Sequence, residues 1–161
     1  MADDISEVEE ITSICNALVI NIGTLNARTI PSMISAGKKA NKLNHPVILD
    51  PVGVGASNFR TDTVLKLLNE VKFAVIRGNA SEVKTIYAGS GYTKGVDATK
   101  EDEITSENLE KNISIAKSLS QNTGAIIAIT GKMDIVANGN KAYIINNGHS
   151  MMSRITGTGC M

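Results

Sequence analysis

Residues 46–82 read PVILDPVGVGASNFRTDTVLKLLNEVKFAVIRGNASE, and this stretch decides the fold class. It opens on a short apolar run, Pro46 to Asp50, closed by Pro51. A second such run, Phe73-Ala74-Val75-Ile76, lies near its far end. Both have the length and β-branched content of buried strands. Between them Val64, Leu65, Leu67 and Leu68 fall near helical spacing, with Thr61 or Asp62 as the expected cap. Strand, helix and strand in that order form a βαβ unit, whose two strands run parallel.

The same alternation extends both ways. Ala17 to Ile22 reads as a strand ending at Gly23-Thr24, and Thr29 to Leu43 as a helix with Pro31 in its first turn. Asn79, with Glu82 three residues on, reads as the cap of a helix through Tyr87. Residues 89–102 are polar and glycine-rich and read as a long surface loop. A helix from about Ser106 to Ser120 and a buried strand from Ala125 to Ile129 follow. Asn138-Gly139-Asn140 reads as a tight turn between antiparallel strands, 134–137 and 142–145. Ser150 to Ile155 is the last strand candidate. The expected architecture is α/β, a mostly parallel three-layer sheet with a late antiparallel hairpin. Residues 1–161 read as one domain.

Composition excludes several function classes. Lys plus Arg and Asp plus Glu are 16 each, so no basic excess points to nucleic acid. Trp is absent and aromatics make up 3%, which leaves few platforms for stacked bases. No apolar run is long enough to span a bilayer, and the acidic start Met1-Ala2-Asp3-Asp4 lacks a signal peptide's basic region. The expected location is cytoplasmic. Cys15 and Cys160 form neither a disulfide framework nor a metal spacing, and Cys15 is expected in the core. There is no G-x-x-x-x-G-K-S/T string, and Gly53-Val54-Gly55 has no third glycine at the dinucleotide spacing.

In open α/β sheets ligands bind beyond the carboxyl ends of the strands. Asn21, Asp50, Arg77, Asn79, Thr130 and the turn Ile155-Thr156-Gly157-Thr158-Gly159-Cys160 all fall at such ends. Each has a bland alternative. Asp50 before Pro51 suits a turn, Arg77 a surface ion pair, and Asn79 with Glu82 a capping box. Together they assemble a carboxylate, a guanidinium fork for phosphate oxygens and a glycine-spaced turn whose amides suit an anion. That set suits phosphoryl transfer.

Seven strings occur in one order: NALVINIGTLN, PVILDPVGVGAS-x-FRT, AVIRGNASE, KGVDA, AIIAITGK-x-D-x-V, NGH and ITGTGC. The chain resembles the hydroxyethylthiazole kinase family, ribokinase-like enzymes of thiamine biosynthesis and salvage, along its whole length. The resemblance implies ATP-dependent phosphorylation of the hydroxyl of 4-methyl-5-(2-hydroxyethyl)thiazole, with Mg2+ as cofactor. It implies ATP contacts from Arg77 and Thr130, and thiazole contacts from Met1 and Gly157. Asp50 and Glu82, with Asn79, would organise magnesium and phosphates, largely through water. The amides of Gly157, Thr158, Gly159 and Cys160 would form an anion hole. Cys160 stands where most ribokinase-like enzymes carry an aspartate base. A homo-oligomer, by resemblance a trimer, is implied. Met1 matches an internal methionine of the family, and the family's helix beyond the TGTGC turn has no counterpart. The chain is therefore expected to be an incomplete domain with impaired turnover. The alternatives are a non-catalytic oligomer partner, or a kinase of a related alcohol such as hydroxymethylpyrimidine.

Overall fold

The computed structural model describes residues 3–89 and 104–147. The described elements are α1 (Val8–Ile14), β1 (Leu18–Asn21), α2 (Thr29–Lys42), β2 (Val47–Asp50), α3 (Asn58–Glu70), β3 (Val75–Gly78), α4 (Ala80–Tyr87), α5 (Leu109–Thr123), β4 (Ile126–Ile129), β5 (Asp134–Ala137) and β6 (Ala142–Ile145). The strands form one sheet in chain order, β1 to β6. β1 through β4 pair in parallel, and β4–β5–β6 pair antiparallel. This is the mixed α/β sheet with a late hairpin that the alternation predicts.

Strand order has a direct consequence for packing. Parallel strands laid down in sequence, joined by crossovers of one hand, put their connecting helices on one face. Burial follows that rule. Ile20, Leu49, Ile76, Ile127 and Ile135 are sealed in a single cluster with Ala40, Val64, Leu67, Val83, Ala116 and Leu119 from α2 to α5. Their strand neighbours point the other way. Val19 and Ile126 are exposed, while Ile48, Val75, Ala128 and Val136 are half-buried. Among the described residues the sheet is thus covered on one side, two layers where three were expected, because strands added in chain order by crossovers of one hand put α2 to α5 on the same face.

Several boundaries differ from the sequence expectation. α1 was not anticipated from the sequence. It buries only Val8 and Thr12 and packs on α2, while Ile11 and Ile14 are exposed, so its apolar residues show no helical stripe. α3 starts earlier than expected. Ser57 is the cap, its Oγ accepting from the Arg60 amide at 3.3 Å. Thr61 lies within the helix and donates its hydroxyl to the Ser57 carbonyl. Asn79 does cap α4: its side chain accepts from the Glu82 amide, and Glu82 accepts from the Asn79 amide. α5 ends on Gly124 at φ 73°, a left-handed position that glycine adopts without penalty. In the hairpin, Asn138 Oδ1 accepts from the amides of Asn140 and Lys141, so a side chain closes the turn. Cys15, expected in the core, is exposed at the end of α1. The loop expected over 89–102, apart from Gly89, and the strand expected over 150–155 lie outside the described residues.

Candidate active site at the strand ends

Parallel register brings four strand ends to one edge of the sheet. Asn21 and Asp50 are direct partners of β1 and β2, and Gly78 pairs with Ile129 just before Thr130. Asn21, Asp50 and Arg77 share the parity of Val19, Ile48 and Val75, so all three side chains rise from the uncovered face.

The carboxylate at the centre is held from one side. Asn21 Nδ2 donates to Asp50 Oδ2 at 2.7 Å, and Asn21 Oδ1 accepts from the Gly23 amide at 2.7 Å. The second bond fixes which way the Asn21 amide faces. Arg77 Nη1 lies 3.9 Å from the same Asp50 oxygen, an ion pair too long for a hydrogen bond. Its guanidinium is partly open to solvent. That leaves a planar donor fork at the sheet edge, suited to phosphate oxygens.

Glu82 joins two loops. Its Oε1 accepts from the Gly53 amide at 2.9 Å and its Oε2 from the Asn79 amide at 2.8 Å. The capping box therefore also ties the loop after β2 to the start of α4. Glycine beside it leaves the carboxylate room, since a Cβ at Gly78 would stand 2.9 Å from Glu82 Oε2 and displace it. Thr130 receives its place from β3. Its amide donates to the Gly78 carbonyl at 2.9 Å, and its hydroxyl does so at 3.4 Å. Gly131 donates to Asp134 Oδ1, which closes the turn into β5.

Among the described residues no group of three or more His, Cys, Asp or Glu side chains could enclose a metal ion. Asp50 and Glu82 instead supply two carboxylates already committed to protein donors. Such a donor set suits a cation that keeps several waters and binds chiefly to substrate phosphates, as Mg2+ does.

Sequence reasoning thus finds Asp50, Arg77, Asn79, Glu82 and Thr130 at one edge. Met1, Gly157, Thr158, Gly159 and Cys160 lie outside the described residues. Two contributors had no assigned role. Asn21 is noticed as a strand end but not as the partner of Asp50. Arg60, within the FRT string, binds three backbone carbonyls at this edge. A cation in the first turn after a glycine-rich loop was the signal available for it.

The model of the hydroxyethylthiazole kinase family matches residues 1–161. The chain belongs to that family. It is 65% identical over 161 residues to a hydroxyethylthiazole kinase of Clostridium acetobutylicum, covering all of this chain and 59% of that protein. It is 55% identical to the enzyme of that name from Clostridium tetani, covering 58% of it. The fold is similar to that of a solved hydroxyethylthiazole kinase protein from Pyrococcus horikoshii OT3, with a TM-score of 0.84 and 33% identity. That similarity covers 99% of this chain and 56% of the other. The chain therefore spans less than two thirds of these family members.

Proposed function

We propose that this chain carries the nucleotide-facing part of a kinase that phosphorylates the hydroxyl of 4-methyl-5-(2-hydroxyethyl)thiazole with ATP. The observation that carries the reading is the joint presence of Asp50, Arg77, Asn79, Glu82 and Thr130 at one sheet edge, in a chain of this family. In the reaction the alcohol oxygen bonds to the γ-phosphorus, the bond to the ADP oxygen breaks, and the alcohol proton is released.

Phosphoryl transfer asks a protein mainly for position and charge neutralisation. Arg77 faces the phosphates as a donor fork. Thr130 offers its hydroxyl and lies beside the free end of β4. Asp50 and Glu82, with Asn79 behind them, would hold Mg2+, which would supply charge neutralisation on phosphate oxygens. In this reading Met1 and Gly157 contact the thiazole. The amides of Gly157, Thr158, Gly159 and Cys160 receive the moving phosphoryl group, and Cys160 positions the substrate hydroxyl. A homo-oligomer completes the proposal, and light scattering would test it.

Initial rates of ATP-dependent thiazole phosphorylation test the reading. Arg77→Ala removes charge-assisted bonds worth about 1.5–3 kcal/mol, so the KM for ATP should rise roughly tenfold to hundredfold. Turnover of hydroxymethylpyrimidine in place of the thiazole would move the substrate assignment. Turnover of neither alcohol, by this chain or by a version extended at both ends, would favour a non-catalytic partner.

A further inference from the structure

Arg60 sits in the first turn of α3 and spends its charge on backbone. Its Nη1 donates to the carbonyls of Ile22 at 2.7 Å and Val52 at 2.8 Å, and its Nη2 to the carbonyl of Gly23 at 3.0 Å. Ile22 and Gly23 follow β1 directly, and Val52 lies in the loop after β2. Three of the five guanidinium N–H groups are thus committed, to two different loops.

Those anchor points bracket the central hydrogen bond of the site. Ile22 is the residue after Asn21, and Val52 is the second residue after Asp50. The Asn21–Asp50 bond crosses the same gap between β1 and β2 that Arg60 spans. Beyond the last paired residues, the Ile22 amide still reaches the Asp50 carbonyl, at 3.2 Å. Past that bond, Arg60 draws the two chains together through the carbonyls of Ile22, Gly23 and Val52. The two arginines of the edge therefore divide the work. Arg77 is left facing outward, and Arg60 is turned inward on the peptide chain.

We propose that Arg60 is a positioning residue: it fixes the separation of the β1 and β2 ends so that Asn21 holds the Asp50 carboxylate in its working orientation. Its effect on rate rests on the kinase reading above; its effect on Asn21 does not. A lysine cannot replace it fully, because an ammonium donates from one point where the guanidinium forks between two loops.

The test is a double-mutant cycle of Arg60→Ala and Asn21→Ala in the whole chain, with Arg60→Lys as the milder variant. Two readouts are taken on samples shown to be folded by their backbone amide spectra. The first is the 15N-resolved resonance of the Asn21 side-chain amide, whose proton is bonded to Asp50. The second is initial rate with MgATP and hydroxyethylthiazole. Arg60→Ala should move the Asn21 resonance toward the solvent position, with Arg60→Lys between. It should lower kcat about tenfold to hundredfold, as misplacement of a reacting group does, with KM for the thiazole changed by less than about threefold. The double variant should be no slower than the slower single one by more than about twofold, since both act through Asp50. An unmoved Asn21 resonance, or two losses that multiply, overturns the proposal. If the unmodified chain shows no turnover, as its impaired-turnover expectation allows, the rate readout is dropped and the resonance alone decides the role of Arg60. If Arg60→Ala does not fold, Arg60→Lys takes its place in the cycle.

Discussion

A single carboxylate shows how the local chemistry of the site is built. Glu82 accepts one backbone amide on each oxygen, from Gly53 and from Asn79. An amide side chain of the same shape keeps one acceptor and turns an NH2 toward the other donor. Glu82→Gln should therefore lower stability by about 0.5–1.5 kcal/mol, the net worth of one hydrogen bond at a half-buried or exposed donor. Urea denaturation measures this, and an unchanged midpoint would show that the carboxylate does not hold the loop. Much of this chemistry was legible in the sequence, because N-x-x-E at a helix start is a local signal. The Gly53 contact was not, since it joins residues 29 positions apart and no short pattern encodes it. Asn21 and Arg60 escaped assignment for the same reason: their partners lie across a strand gap or in another loop.

The elements themselves were the more legible level. Short apolar runs placed β1 to β6 in order, because their length and β-branched content, bounded by turn signals, favour strands over helix segments. What the runs did not reveal is which residue of each pair is sealed. Ile126 and Ile127 are identical in type and adjacent, yet Ile126 is 44% exposed and Ile127 is 0% exposed. Only the one-sided packing of helices separates them. Ile127→Ala should cost about 2–5 kcal/mol, as for other fully buried aliphatic truncations. Ile126→Ala should stay within about 1 kcal/mol. Matched denaturation curves check both, and equal losses would mean that the second face is as tightly packed as the first. Helix starts were less legible than strands. Ser57, not Thr61 or Asp62, caps α3, because the apolar stripe begins a turn after the helix does.

At the scale of the molecule, the candidate site lies, among the described residues, on the rim of the less protected side of the sheet. The helices cover the face of Ile20, Leu49, Ile76 and Ile127, and the opposite face runs from Val19 through Ile48, Val75 and Ala128. At the carboxyl ends of those same strands this second face carries Asn21, Asp50 and Arg77. Among the described residues the arrangement follows from strand order, since sequential crossovers of one hand place the connecting helices on the other face while the strand ends stay open. Apolar patches of this kind bind amphiphilic probes without any unfolding. A naphthalene sulfonate dye should therefore fluoresce with the native chain at neutral pH, before any denaturant is added. Val19→Ser and Ile126→Ser should each weaken that signal with little change in melting midpoint, because both side chains already face outward. Substitutions at Lys38 or Lys42, on α2 at the other end of the strands, should leave it unchanged. A native chain that binds no dye would mean that the face is closed in solution, and Asp50 and Arg77 would then have to be approached from the edge alone.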